Sequence, residues 1–188
     1  MVYRCWGDND SLMKAYHDSE WGVPLHDDQK LFEFLILDAF QAGLSWRTIL
    51  HKRESFRRAF DDFDFHRIAG YSSKKIKILQ ADSSIIRNQL KIKSAVTNAK
   101  AFLTVQKNFG TFDKYIWNYV GNKPIQTNLK SFEEMPAKTD LSTEISKDLK
   151  KRGFKFVGPT IIYAFMQAIG MVNDHLTGCF RHSELKKI

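Results

Sequence analysis

This chain of 188 residues lacks any apolar run approaching the roughly 20 residues a membrane-spanning helix needs. Its opening residues, Met1-Val2-Tyr3-Arg4-Cys5-Trp6-Gly7-Asp8, hold no apolar core of the kind an export signal carries, so a cytoplasmic protein is expected. Only two cysteines occur, Cys5 and Cys179. A single bridge between them is formally open, but a reducing compartment disfavours it. There is no internal repeat, no low-complexity tract and no alternating run that would mark a half-buried strand. Prolines are scarce, and Pro124 and Pro136 both fall in the polar stretch from Gly121 to Asp140, the best candidate for a loop.

What is present in excess is positive charge. The 29 basic against 21 acidic side chains give a net +8 and a pI near 9.4. Such a balance suits a polyanion, nucleic acid first, although the solvated surface of any basic protein would show it too. The length allows one large domain or two small lobes. The residue pattern is helical throughout. Asp27 is a plausible N-cap for the apolar run Leu31 to Ala42, which stops at Gly43. Ser45 can cap a helix through Trp46 and Leu50, and Ser72 or Ser73 one over Lys74 to Gln80. A long helix is predicted from about Asn88 to Lys107, a short aromatic one within 111–120, and two more over Ser142–Arg152 and Pro159–Gly170. Asn173 reads as the cap of a final turn. The fold expected is all-α.

Three groups of residues carry chemistry. Cys5 and His17 near one end, with His175 and Cys179 near the other, make a Cys2His2 set of the closed, structural zinc type. The spacing H-x-x-x-C would stack His175 and Cys179 on one face of a helix. Two free cysteines and two unrelated histidines remain the alternative on spacing alone. Next, Lys150-Lys151-Arg152-Gly153-Phe154-Lys155-Phe156-Val157-Gly158-Pro159 places two glycines around a tight hairpin, with proline at the first position of the following helix. Such a turn presents backbone N–H groups to a phosphate, and Lys150, Lys151, Arg152 and Lys155 set four charges beside it. A plain turn between two helices is the blander reading. Third, Trp6, Trp21 and Trp46 lie in the first quarter of the chain with Tyr16, enough aromatic surface to sandwich a flipped base or simply to fill a core. Asp38 interrupts the most apolar run, where a carboxylate is buried or lines a cavity and needs a partner.

Taken together, Arg4-Cys5-Trp6, Ala15-Tyr16-His17-Asp18, Glu20-Trp21-Gly22-Val23-Pro24, Gln41-Ala42-Gly43-Leu44-Ser45-Trp46, Lys151 to Gly158, Asn173-Asp174-His175 and Cys179 resemble the 3-methyladenine DNA glycosylase I (Tag-type) family over almost the whole chain. The resemblance implies a helix-hairpin-helix glycosylase fold spanning residues 1–188. It would be a single domain of two helical lobes with a base pocket between them, the helix-hairpin-helix element lying at about 145–170. One structural Zn2+ would join the termini through Cys5, His17, His175 and Cys179. It further implies a monomeric enzyme of base-excision repair that hydrolyses the N-glycosidic bond of 3-methyladenine in alkylated double-stranded DNA. The products would be the free base and an abasic site. Trp6, Tyr16, Trp21 and Trp46 would then shape the base pocket, with Trp46 as the stacking face. Gln41, Gly43 and Leu44 would enter the duplex with Leu44 as the wedge, while Lys151, Arg152, Gly153, Lys155 and Gly158 hold the backbone. The family lacks the catalytic aspartate usual after the hairpin, and Pro159 to Phe165 here contains no acid.

Two pocket positions depart from the family pattern: Asp38 stands where a glutamate is usual, and Met13 where a tyrosine is usual. The shorter carboxylate is withdrawn by about 1.5 Å, one C–C bond, from a base edge. A divergent protein that binds damaged DNA with altered or no catalysis is therefore the alternative reading.

Overall fold

The computed structural model describes residues 3–187, so Met1 and Val2 of the export reading lie outside it. Ten α-helices are seen among the described residues: α1 (Ser11–Ser19), α2 (Asp28–Gln41), α3 (Trp46–Ala59), α4 (Phe65–Ala69), α5 (Ser73–Ala81), α6 (Gln89–Phe109), α7 (Phe112–Trp117), α8 (Asp140–Lys151), α9 (Pro159–Ala168) and α10 (Phe180–Leu185). Two short segments, β1 (Ile125–Gln126) and β2 (Val172–Asn173), pair in parallel. The all-α expectation holds, with this ribbon as its one addition. Among the described residues no helix is long and apolar enough to cross a membrane.

The centre is α2. Every residue from Leu31 to Phe40 is buried, so the helix is apolar on all sides and must be enclosed. It is packed by α3, α6, α7 and α9. Two carboxylates ride in this run. Glu33 is neutralised by Arg53 Nε at 2.6 Å and Arg57 at 2.9 Å. Asp38 has no such counter-charge.

The caps lie where side-chain chemistry places them. Asp27, Ser45, Ser72 and Asn88 each accept a hydrogen bond from a backbone N–H of the first turn they precede. Gly43, at φ +78°, turns the chain out of α2 in a conformation that costs other residues backbone strain. Gly170 is needed for a different reason. A Cβ there would lie 2.3 Å from the carbonyl carbon of Val23, so only glycine lets the end of α9 press against Val23-Pro24 and hold the N-terminal segment in place.

Three expectations need correction. The segment from His175 to Cys179 is not helical; α10 begins only at Phe180, with Cys179 as its N-cap. Asn173 accordingly caps no helix but belongs to β2. The stretch Gly121 to Asp140 is not structureless either, since it carries β1 and a single 3-10 turn at Phe132–Glu134.

Candidate base pocket and metal centre

The sequence-predicted pocket residues do converge. Trp6, Met13, Tyr16, Trp21, Asp38 and Trp46 line one cavity of about 250 Å³, with Gln41 at its edge. Helix α1 presents Met13 and Tyr16, α2 presents Asp38 and Gln41, and Trp46 stands at the first turn of α3. The rings brace one another. Trp6 meets Trp21 edge-on at 5.1 Å, and Tyr16 lies 5.2 Å from Trp46. Trp46 also stacks on Phe34 at 6.4 Å, so the indole that lines the cavity is braced by two neighbouring rings.

Two polar atoms in this pocket are buried without a partner: Asp38 Oδ2 and Trp46 Nε1. A buried polar atom normally finds a hydrogen bond, so an orphan acceptor and an orphan donor in one aromatic slot describe the ligand that would satisfy both. Burial pushes the Asp38 carboxyl well above the usual range, and nothing positive is near enough to offset it. The Tyr16 hydroxyl is likewise pushed up, by burial first and by Asp38 second.

The sequence reading missed part of the wall. Phe132 and Met135 reach the cavity from the β1–α8 connection, and Ala164, Gln167 and Ala168 from α9. Gln167 is oriented by Asp174, which accepts its Nε2–H at 2.7 Å. A larger cleft of about 560 Å³ opens on the far side of Tyr16, but its charges answer one another. Arg53 is bound to Glu20 at 2.7 Å and to Glu33 at 2.6 Å, and Arg57 pairs with Glu54.

Beside the pocket, Cys5, His17, His175 and Cys179 bring their ligand atoms within 4.8 Å of one another. Both cysteines are free thiols. The ring nitrogens His17 Nε2 and His175 Nδ1 are 3.2 Å apart, and the sulfur–nitrogen distances run 3.2, 3.5, 3.6 and 3.7 Å. A tetrahedral zinc bound at ordinary lengths implies separations of about 3.3 Å between nitrogens and about 3.6 Å between sulfur and nitrogen. The tautomers point the same way. His17 Nδ1 faces the Asp18 carboxylate at 2.8 Å, and His175 Nε2 faces the Trp21 carbonyl at 3.0 Å. Each outer nitrogen therefore carries the hydrogen, and two bare lone pairs face each other across the cluster. They repel unless a cation lies between them. Arg4 holds Asp18 through two hydrogen bonds of 2.6 Å and keeps its carboxyl below the usual range, so the outer shell is itself anchored. The residues present fit a metal ion.

The hairpin between α8 and α9 has Gly153 at φ +94° and Phe156 at φ +56°, with Pro159 opening α9. Lys150, Lys151 and Lys155 are exposed. Arg152 departs from expectation. Its guanidinium is bound to Asp148 at 2.8 Å and lies over the rings of Phe109 and Tyr115, so it braces the hairpin rather than offering a fourth free charge. The N–H groups of Phe156 and Gly158 find no acceptor among the described residues. Leu44, 40% exposed, stands on the tight turn that links α2 to α3, where its N–H closes on Gln41 O.

The described residues thus define a helical protein with a Cys/His cluster that could hold a metal, an exposed basic hairpin and an aromatic slot lined by one unpaired buried carboxylate. The family model for methyladenine glycosylase matches residues 6–182. DNA-3-methyladenine glycosylase 1 of Escherichia coli (strain K12) is 47% identical over 177 residues, covering 94% of this chain and 95% of the relative. A crystal structure of 3-methyladenine DNA glycosylase I superposes with a TM-score of 0.92 at 47% identity, covering 95% of this chain and 98% of that one. A second, a tyrosine-to-phenylalanine variant in complex with 3-methyladenine, gives a TM-score of 0.92 at 35% identity, with 96% and 97% covered. The chain belongs to the methyladenine glycosylase family.

Proposed function

We propose that this protein is a DNA-3-methyladenine glycosylase that releases the free base from alkylated duplex DNA and leaves an abasic site. The observation that carries the reading is the orphaned Asp38 carboxylate facing into an aromatic slot. A 3-methylated adenine already bears positive charge, so its glycosidic bond is weak and its leaving group needs no proton. The C1′–N9 bond breaks with its electron pair going to the base, water adds at C1′, and the water's second proton passes to solvent. Asp38 accepts from the exocyclic amine and offsets the cation's charge, while Trp46 stacks on the ring. Extruding the nucleotide costs a few kcal/mol. Stacking of about 1–3 kcal/mol per aromatic face, with a cation–π share for the charged base, compensates and leaves neutral adenine the poorer ligand.

The remaining assignments follow that reading. Leu44 fills the space the flipped nucleotide leaves, Lys151 and Lys155 with the Gly153–Gly158 backbone hold phosphates, and Arg152 stiffens that hairpin. Zn2+ is the metal best suited to two thiolates and two imidazoles. With all four positions taken by protein it would be structural, tying the termini of a single monomeric domain whose two lobes flank the pocket. Full-length similarity to named glycosylases supports the enzyme and not a non-catalytic binding protein.

Base release from N-methylated duplex DNA, with 3-methyladenine resolved from 7-methylguanine, tests the proposal. Prompt and selective release of 3-methyladenine is expected; tight binding to abasic-site DNA without any release would sink it. A Leu44→Ala variant is expected to excise from duplex about 10-fold more slowly while binding free 3-methyladenine unchanged. The wedge meets only the duplex, and a few methylenes of lost contact are worth about 1–2 kcal/mol. Equal loss in both assays would place Leu44 in the pocket wall instead.

A further inference from the structure

Two buried polar side chains on α6 have no part in the pocket or the metal centre. Lys91 is 6% exposed, and its ammonium donates to the carbonyl of Phe40 at 2.8 Å and to that of Ala42. Those carbonyls end α2, where the helix has no internal donors left, immediately before Gly43 and Leu44. Asn98 is fully buried and grips the hairpin at two points: it accepts from Lys155 N–H at 2.8 Å and donates to Lys155 O at 3.1 Å. Both side chains hold backbone atoms, so they fix where a segment lies whatever side chains it carries.

Their spacing is informative. Positions 91 and 98 are two helical turns apart and share one face of α6, about 10.5 Å along the axis. Gly43, Leu44 and Lys155 are themselves exposed, while the rest of the hairpin is seated by buried Phe154 and Val157 and by Ser146 Oγ donating to Val157 O at 2.6 Å. A buried ammonium with no carboxylate beside it is costly, and here it is held by the two carbonyls that lead into the wedge turn.

We infer that α6 is the strut that sets the separation of the wedge turn from the DNA-holding hairpin, with Lys91 and Asn98 as its two positioning residues. The inference rests on the glycosylase reading above. Neither residue touches the base. Together they tie the end of α2 that leads into Leu44 and the hairpin at Lys155 to one face of α6, so that one end holds the strand while the other enters it.

The test compares Lys91→Met, Asn98→Leu and the double variant with the unaltered protein. Free 3-methyladenine affinity is read by tryptophan fluorescence and single-turnover excision from methylated duplex by base release. Each single variant is expected to keep free-base affinity within about twofold and to lose about 10- to 100-fold in duplex excision. The double variant should lose little more than the worse single, because the separation fails once either lock opens. Losses that multiply, or duplex excision that stays intact, would overturn the strut. Should Lys91→Met not fold, Lys91→Gln keeps one donor, and Asn98→Asp keeps the acceptor for Lys155 N–H; the same non-additivity is expected of that pair. An unaltered protein that releases no base would refute the glycosylase reading rather than the strut.

Discussion

Asp38→Asn is expected to slow 3-methyladenine release by about 10- to 150-fold and, at the same time, to stabilise the free protein at neutral pH. The first effect follows from the loss of a charge-assisted hydrogen bond to a cation, worth about 1.5–3 kcal/mol. The second follows from burial. Asp38 is 2% exposed and Oδ2 has no partner, so its ionised form is disfavoured and its folded-state pKa stands above the ordinary value. Between the ordinary value and the raised one the folded state holds a proton that the unfolded chain has lost. Stability is therefore greatest below the ordinary aspartate pKa and falls as pH rises toward the raised one, by about 1.4 kcal/mol per pH unit of that interval. Asparagine carries no such dependence. Thermal melts of both proteins across the acid-to-neutral range would show the wild-type curve descending relative to the variant's; parallel curves would mean that Asp38 is paired or hydrated in solution.

The same residue ties ground-state cost to specificity. Burial disfavours the ionised form of Asp38 and a cationic base set against it would favour that form, so binding of the lesion and ionisation of the carboxyl are expected to be linked. Neutral adenine offers no such return. Asp38→Glu extends the carboxylate by about 1.5 Å toward the base edge, and faster excision is expected if reach limits the rate. Unchanged excision with fold and metal intact would remove carboxylate length from the account. The three-way comparison separates charge, lost in Asn, from reach, altered in Glu.

How much of this was legible beforehand depended on whether the cause was local. Asp27, Ser45, Ser72 and Asn88 announce their helices because a cap acts on the next three residues. The Cys5, His17, His175 and Cys179 set is legible and does converge, but the helix expected over His175 to Cys179 is not there. Spacing of four residues also fits an irregular turn, and this one is pinned from outside by Thr177 N–H to Leu129 O at 2.8 Å. Phe132 and Met135 were invisible because their arrival at the pocket depends on the β1–β2 ribbon, two residues long and without periodicity. Arg152 looked like a free charge because Asp148, Phe109 and Tyr115 meet it only in three dimensions. Lys91 and Asn98 did leave a signal. They fall in step with the buried positions Ala95, Phe102 and Val105, a lysine and an asparagine on the apolar stripe of α6.

If the Cys5/His17/His175/Cys179 cluster holds a metal as proposed, its removal is expected to cost on the order of 5 kcal/mol and to lower the melting temperature by more than about 10 °C, a loss as large as any single substitution in the core. The four ligands span the chain: Cys5 and His17 lie near one end, His175 and Cys179 near the other. Without a cation, the inner ring nitrogens of His17 and His175 face each other at 3.2 Å with nothing to offset their repulsion. Chelation should therefore loosen both termini together. Trp6 and Trp21 pack edge-on against His17 and His175 respectively, at 4.9 and 4.5 Å, so the loosening reaches the aromatic wall of the base pocket. Affinity for free 3-methyladenine should fall with the melting temperature, although no ligand atom enters the chemistry. Metal analysis gives the stoichiometry, with one zinc per chain expected, and melts with and without chelator give the stability. His17→Ala should reproduce the chelated protein in both respects. A metal-free protein that melts at the same temperature with and without added zinc, and binds the base equally well, would reduce the cluster to four buried side chains with no ion to organise them.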